Sequence, residues 1–263
     1  MAFAANSLLA RAALVEGAMG AGSFTAIRLT SGAAMLALLV GFRSGWHAGS
    51  WRDAVALFGY AAGFSFAYLE LSTGTGALIL FALVQLTMLG AGFRAGERLG
   101  AAQWVGIVMA FAGLAILLSP TLDAPSPLGA ALMAVAGVSW GLYSLFGRGG
   151  GDPTARTAGN FARAAVLSLV LLPLLWTGVE PQPGWGGIGL AVTSGAITSG
   201  LGYALWYRVL PHLSASRAGV VQLAVPPLAA AMGIAALGEA LTLPFAVASA
   251  LVLLGIWLSG REA

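Results

Sequence analysis

The sequence predicts an all-α integral membrane protein with ten transmembrane helices, arranged as two inverted five-helix repeats around a central cavity. Three observations support this prediction: the composition, ten long apolar stretches, and the alternation of basic and acidic residues between them. Of the 263 residues, 59% are hydrophobic and 8% are charged, and the mean hydropathy is +0.91. Soluble domains carry roughly a quarter charged residues. The composition therefore excludes a soluble globular protein.

Ten apolar stretches fit the length of a membrane-spanning helix, although the first is short. A helix needs about 20 apolar residues to cross the bilayer core, with a range of about 17–25. The predicted helices cover residues 2–15, 24–41, 54–70, 73–92, 102–118, 127–147, 160–177, 186–208, 215–236 and 243–260. Turn sequences rich in Gly, Pro and Ser separate them. The stretches are continuously apolar rather than alternating, so strands are not expected.

The charged residues alternate from one gap to the next. All 12 basic residues are arginine, and most of them lie beside every second gap, whereas the gaps between carry acids. The acids are Glu16, Glu70, Asp123, Glu180 and Glu239. Because positive residues stay on the cytoplasmic side, this pattern predicts cytoplasmic N- and C-termini. The arginine-only basic set and the high Ala and Gly content indicate a bacterial source, and hence the inner (cytoplasmic) membrane.

An internal repeat relates the two ends of the chain. Residues 96–99 read Gly-Glu-Arg-Leu and residues 238–241 read Gly-Glu-Ala-Leu, at an offset of 142 residues. Arg28 and Arg163 match at an offset of 135, each near the predicted start of its repeat's second helix. The repeat predicts two units of five helices.

The two predicted units cover residues 1–120 and 126–260. Because five is odd, the second unit enters the membrane from the opposite side. Inverted repeats are typical of transporters, since exchanging the conformations of two similar halves alternates between inward-open and outward-open states.

Several short motifs resemble a known family. Asn6-Ser7-Leu8-Leu9, Arg28 and the two Gly-Glu-x-Leu segments, each followed by a Gly-containing helix, resemble the drug/metabolite transporter superfamily in its EamA-type ten-helix branch. The resemblance implies a basket of helices and export of amino acids or related metabolites. The opening stretch is most similar to the subgroup that exports aromatic and other neutral amino acids.

The resemblance also implies which helices surround the cavity. These are the first, third, fourth, sixth, eighth and ninth helices, whereas the fifth and tenth lie at the periphery and support a homodimer in some members. Polar side chains at membrane depth are costly unless they face protein or a water-filled cavity. The polar and aromatic residues of these helices are therefore the candidates for substrate binding: Asn6, Ser65, Gln85, Trp140, Tyr143, Ser199, Tyr203 and Gln222.

Helical spacing groups some of these candidates. Ser199, Tyr203 and Trp206 recur at i, i+4 and i+7, which places them on one helix face. Such aromatic faces would stack a planar side chain, while Gln85 and Gln222 bind its polar end. The alternative is that aromatic residues form interfacial belts, that hydroxyls bond to their own helix, and that the amides join helices. The position of Trp206 near the cytoplasmic end favours a belt, and the mid-span position of Trp140 favours the cavity.

Four further residues are candidates for gating or hinge motion. Arg28 and Arg163 reach towards the interface or bond to loop carbonyls in one interpretation, and act as a gate or carboxylate contact in the other. Pro226 and Pro227 interrupt the hydrogen bonds of the predicted ninth helix near mid-depth. This interruption predicts a flexing point beside Gln222.

Other function classes lack the residues that they need. The chain has no cysteine and only two histidines, His47 and His212, so we expect no disulfide, no metal site and no cofactor. No basic patch with interleaved aromatic residues indicates nucleic acid. Residues 137–141 match the nucleophile pattern of hydrolases, but that motif requires a strand-to-helix turn. We therefore expect a protein that is not an enzyme.

With the inverted repeat, the resemblance implies a membrane exporter of small metabolites, most simply aromatic or neutral amino acids, that works by alternating access. Its expected partners are a small-molecule substrate and the lipid bilayer, with a homodimer possible. One alternative is an EamA-type carrier of another cargo, such as a drug, a nucleotide precursor or a polyamine. Another is a non-transporting membrane scaffold or a lipid-handling enzyme. Cation export is disfavoured because no acid lies at mid-membrane depth.

Overall fold

A computed structural model describes residues 1–15, 19–41, 48–94, 100–118, 124–147, 151–210, 222 and 224–259. Within these ranges the chain forms helices and turns, without a strand. The helical segments are α1 (Ala2–Val15), α2 (Ala21–Val40), α3 (Trp51–Ala67), α4 (Thr73–Arg94), α5 (Ala101–Leu117), α6 (Pro127–Phe146), α7 (Pro153–Trp176), α8 (Trp185–Val209), α9 (Val225–Leu237) and α10 (Leu243–Ser259). The predicted all-α architecture is confirmed.

Five of these segments are long and apolar enough to cross a membrane. They are α2, α4, α6, α7 and α8, with lengths of 20 to 25 residues. The segments α1, α5, α9 and α10 are shorter apolar helices. Such a set of apolar helices is that of a multi-pass membrane protein.

Several helices begin earlier than the apolar windows predict, because polar residues cap them. The Ser50 hydroxyl accepts a hydrogen bond from the Asp53 amide at the start of α3, and the Asp152 carboxylate accepts one from the Thr154 amide at the start of α7. Such caps satisfy amides that have no partner within the helix. A window that scores apolar residues alone omits these first turns.

The early starts correct the predicted positions of two arginines. Arg28 is the eighth residue of α2 and Arg163 is the eleventh residue of α7. The prediction that each lies near the beginning of a helix was wrong. Both side chains therefore start about two to three turns inside their helices.

Two of the long helices are not α-helical throughout. In α7 a 3₁₀ turn at Ser168–Leu171 precedes Leu172–Trp176. Pro173 has no amide hydrogen to continue the α-helical bonds at this point. In α8 the segment Ser194–Leu201 is π-helical.

Helices of the first part of the chain pack against helices of the second part. α1 packs on α8 and α9, and α6 packs on α3 and α4. α2 contacts both α7 and α8, and α3 contacts α7. α4 also packs against α9. The core therefore lies where helices from the first part of the chain meet helices from the second part.

The pair α5 and α10 lies apart from this core. The two helices pack mainly on each other, and glycine allows their close approach: a Cβ at Gly255 would meet the backbone of Gly106 and Ala110. The opposite face of α5 exposes apolar side chains, including Trp104 and Val108. Exposed apolar side chains in this arrangement suit contact with lipid.

The proline pair lies at the start of a described helix. Pro226 and Pro227 lie in the first turn of α9, which begins at Val225. Residues in a first turn have amides without a helical partner, so proline fits there without breaking a bond. The predicted interruption near mid-depth concerns the window 215–236, in which residues 215–221 and 223 lie outside the described residues, so it stays a prediction.

Candidate functional site

A buried arginine lies where α2, α3 and α8 meet. Arg28 is 1% exposed. Its Nε donates to the Ser199 hydroxyl at 3.1 Å, and its Nη2 donates to the Tyr60 hydroxyl at 2.9 Å and the Tyr203 hydroxyl at 3.2 Å. The side chain does not extend towards the interface, so the snorkelling interpretation was wrong for Arg28. Arg28 is enclosed because it lies about two turns after the start of α2, at a level where neighbouring helices surround it.

Small residues allow α2 and α8 to bring these groups together. A Cβ at Gly195 would meet the backbone carbonyl of Arg28 and the side chain of Ser31. Glycine at this position therefore permits the close approach of the two helices. The approach places Ser199 and Tyr203 within hydrogen-bonding distance of the guanidinium.

Aromatic rings surround the guanidinium. The Arg28 Cζ lies 4.8 Å from the centroid of the Phe64 ring and 5.1 Å from that of Tyr60. The Trp140 ring lies 4.9 Å from the Tyr60 ring and 4.8 Å from the Tyr203 ring, measured between centroids. Phe3 contacts Trp140 edge-on at 5.7 Å. We call Arg28, Tyr60, Trp140, Ser199 and Tyr203 the central cluster.

Asn6 connects α1 to the same region. Its Nδ2 donates to the Tyr60 hydroxyl at 3.4 Å, and its Oδ1 accepts from the hydroxyls of Ser194 at 2.5 Å and Thr198 at 3.0 Å. Both hydroxyls belong to the π-helical segment of α8. The hydrogen bonds of Asn6 therefore join α1, α3 and α8 beside the central cluster.

The other predicted binding residues have different surroundings. The Tyr143 hydroxyl accepts from Asn160 Nδ2 at 3.4 Å, and the Tyr143 ring lies 5.7 Å from Trp140. The Ser65 hydroxyl donates to the Ala61 carbonyl of its own helix at 2.8 Å. Gln85 and Gln222 are buried, but neither bonds to Arg28 nor stacks on Trp140 among the described residues.

Two residues for which alternatives were open also have defined positions. Trp206 is partly buried and packs edge-on against Phe3 at 5.7 Å. Arg163 donates to the Ala48 carbonyl at 2.8 Å and to the Gly159 carbonyl at 2.9 Å. The two arginines at matching repeat positions thus differ: Arg163 bonds to backbone carbonyls, whereas Arg28 bonds to side-chain hydroxyls.

Sequence reasoning missed three residues of this site. Tyr60 and Phe64 lie one turn apart on α3, and Phe3 lies in the first turn of α1. The signal for Tyr60 was a hydroxyl-bearing aromatic residue in the middle of an apolar helix. Ser65 on the same helix was chosen instead, although a serine can satisfy its own hydroxyl by bonding to the preceding turn.

At one end of the bundle, two glutamates cap helices that are distant in sequence. Glu180 accepts hydrogen bonds from the amides of Gly22 at 2.7 Å and Ser23 at 3.1 Å, at the start of α2. Glu239 accepts bonds from the Thr73 amide at 2.9 Å and lies 3.6 Å from Arg11. We call this the glutamate end.

A cavity of about 310 Å³ lies at the glutamate end. Its lining includes Arg11, Glu70, Thr75, Glu239 and Phe245. The cavity therefore combines charged, polar and apolar side chains, and none of its lining residues belongs to the central cluster.

At the opposite end of the bundle, charged and amide side chains link the start of α3 to α6 and α7. Arg156 Nη2 donates to Asp53 Oδ2 at 3.2 Å and to the Phe146 carbonyl at 3.0 Å. Asn160 Oδ1 accepts from the Ser50 amide at 2.9 Å. We call this region, which also contains Arg52, Arg163 and Arg208, the arginine end.

Three known proteins have similar sequences, and two of them are described as transporters. An uncharacterized protein of Pseudomonas aeruginosa is 51% identical over 259 residues, covering 97% of this chain and 90% of that protein. An uncharacterized transporter of Archaeoglobus fulgidus is 29% identical, covering 81% of this chain and 79% of the relative. The uncharacterized transporter YwfM of Bacillus subtilis is 30% identical over 58% of this chain and 52% of its own length.

The fold and a family model agree with these relatives. A solved crystal structure that is 24% identical covers 98% of this chain and 94% of that chain with a TM-score of 0.66, which shows a shared fold. The model of the EamA-like transporter family matches residues 127–261. The chain therefore belongs to the EamA-like transporter family, within the drug/metabolite transporter superfamily.

Proposed function

We propose that this membrane transporter carries aromatic or other neutral amino acids out of the cell by alternating access. The observation that carries the proposal is the central cluster, in which a buried arginine is enclosed by hydroxyls and aromatic rings. Guanidinium groups bind carboxylates, and aromatic rings stack against planar side chains. An aromatic amino acid combines both groups.

The packing of the helices supports a repeat of residues 1–120 in residues 126–260. Suppose that each of α1 to α5 is exchanged with the helix five positions later, so that α1 changes places with α6 and α3 with α8. The contact between α1 and α8 then becomes the contact between α6 and α3. The same exchange turns α1–α9 into α6–α4 and α2–α8 into α7–α3, and all of these pairs are in contact. The pairs α2–α7, α4–α9 and α5–α10 are unchanged by it. Two similar units of this kind are typical of carriers that work by alternating access.

The charges at the two ends support an orientation in the membrane. The arginine end carries Arg52, Arg156, Arg163 and Arg208, whereas the glutamate end carries Glu70, Glu180 and Glu239. Because arginine is retained on the cytoplasmic side, the arginine end would face the cytoplasm of a bacterial cell. The cavity beside Glu239 would then open towards the exterior.

The first test is counterflow in liposomes. Purified protein is reconstituted into vesicles preloaded with unlabelled amino acid, and uptake of labelled tryptophan, phenylalanine and threonine is followed. Counterflow needs no driving force, so it tests the cargo without assuming coupling. Accumulation that excess phenylalanine abolishes supports the proposal, and no uptake of any of the three by folded protein would overturn the amino-acid cargo.

A pair of tryptophan variants tests the location of the path. Trp140 is 2% exposed and Trp104 is 52% exposed. We expect Trp140→Ala to lower counterflow at least tenfold, and Trp104→Ala to leave it within a factor of about two. Equal losses in both variants, or a loss in Trp140→Ala that follows loss of folded protein, would contradict a path through the central cluster.

The hinge roles of Arg163, Pro226 and Pro227 stay predictions.

A further inference from the structure

We infer that Arg28 binds an anionic carboxylate of the transported molecule, so that the carrier selects carboxylates over the matching amides and over cations. This inference rests on the proposed transport function and names the chemical class of its cargo. It depends on the hydrogen bonds, the charge and the neighbours of one side chain.

The hydrogen bonds of Arg28 leave one group of donors free. A guanidinium has five N–H groups. The Nε donor is used by Ser199, and Nη2 bonds to the hydroxyls of Tyr60 and Tyr203. Nη1 carries the remaining two, is buried, and has no hydrogen-bond partner among the described residues. A buried charged donor without an acceptor is costly, so a ligand that supplies oxygen atoms to Nη1 gains the most.

The charge of Arg28 is also uncompensated. Its three acceptors are neutral hydroxyls, and the ion pairs of the described residues involve other arginines: Arg11, Arg52 and Arg156. The faces of Phe64 and Tyr60 stabilise the cation in part. A buried charge without a counter-ion is strongly unfavourable. A carboxylate would supply both the opposite charge and two acceptor oxygens.

The side chains around Arg28 determine which molecules bind there favourably. The Trp140 ring contacts the two tyrosines that bond to Arg28, so a carboxylate at Arg28 would have its carbon skeleton beside an aromatic surface. A cationic cargo would instead bring a like charge close to the guanidinium, where burial makes repulsion strong. The site therefore favours small carboxylates, whether or not they also carry an amine.

The test compares acids with their amides, which have similar shape but no charge. Thermal unfolding of the purified protein is measured against increasing phenylpropionate, phenylpropionamide, benzoate and benzamide. We expect at least one acid to raise the unfolding midpoint at a concentration roughly tenfold to a hundredfold below that of its amide, because the amide lacks the negative charge that would pair with the guanidinium. Arg28→Gln is expected to remove this preference, and Arg52→Gln, which changes an exposed arginine, is expected to keep it.

Every outcome of this test is decisive. Equal shifts by acid and amide, or no shift by either acid, would overturn the inference, and so would a preference for acids that persists in Arg28→Gln. If Arg28→Gln does not fold, the acid and amide pairs on the unaltered protein decide alone. Failure of all amino acids in counterflow would remove the proposed cargo but would leave an acid preference, and therefore this inference, intact.

Discussion

The glutamate end and the arginine end both join parts of the chain that are more than a hundred residues apart, but by different kinds of bond. At the glutamate end, Glu180 and Glu239 accept hydrogen bonds from backbone amides at the first turns of α2 and α4. At the arginine end, Asp53 pairs with the side chain of Arg156. The glutamate end is thus joined by hydrogen bonds between carboxylate side chains and backbone amides, and the arginine end by an ion pair between two side chains.

This difference determines how each connection can change. A helix start offers several amide donors and a favourable dipole, and substitutions other than proline leave these donors in place. An ion pair depends on two residues, so either partner can break it. A carrier that opens one end at a time would release a carboxylate from amides at one end and separate two charges at the other. Stability measurements on variants distinguish the two kinds of bond.

The largest effect is expected at Asp53. Its side chain is 2% exposed and faces Arg156 at 3.2 Å. Replacing Asp53 by Ala leaves a partly buried arginine without its counter-ion, and we expect a loss of about 3 kcal/mol in the free energy of unfolding. Denaturant unfolding in detergent measures this loss. In a double-mutant cycle with Arg156→Gln, the coupling should be about 2 kcal/mol, and additive effects would contradict the ion-pair description.

A smaller effect is expected at Glu239. The variant Glu239→Gln keeps one oxygen for the Thr73 amide but loses the charge, so we expect a loss of about 1–2 kcal/mol. Its coupling with Arg11→Gln should be below about 0.5 kcal/mol, because the main donors of Glu239 belong to Thr73 rather than to Arg11. A coupling as large as that of Asp53 with Arg156 would show that the two ends are alike.

The smallest effect is expected at Arg52. Its side chain is 67% exposed and lies 3.3 Å from Asp53. Exposed ion pairs contribute about 0–1 kcal/mol, so Arg52→Gln should change the free energy of unfolding by less than about 0.5 kcal/mol at moderate salt. A loss as large as that of Asp53→Ala would mean that Arg52, not Arg156, is the main partner of Asp53.

The helices were predictable because apolar length is a local property. The window 73–92 became Thr73–Arg94, and the window 102–118 became Ala101–Leu117. The helix starts were less predictable, since caps such as Asp152 depend on a single polar residue. Pro226 and Pro227 show the same limit: they begin α9 at a position that proline favours, and a window that counts apolar residues does not mark it.

The candidate site was predictable in part for a different reason. Placing a polar residue in a membrane helix is costly, which correctly drew attention to Asn6, Trp140, Ser199 and Tyr203 as buried residues. Whether a hydroxyl faces a neighbour or its own helix depends on packing, which explains the contrast between Tyr60 and Ser65. The burial of Arg28 also follows from packing, through the close approach of α2 and α8 at Gly195.

The π-helical segment of α8 has a consequence for rotation. A π turn holds about one residue more than an α turn, and one residue in an α-helix corresponds to about 100° of rotation. The segment Ser194–Leu201 therefore sets the angle at which Tyr203 faces Arg28. Because the π turn accommodates about one extra residue, deleting the exposed Ile197 should return the segment to an α-helix and keep Tyr203 facing the guanidinium. Counterflow should then be kept, together with the helical circular dichroism. Movement of the π turn along α8 would instead rotate the residues that it passes by about 100° without breaking the helix.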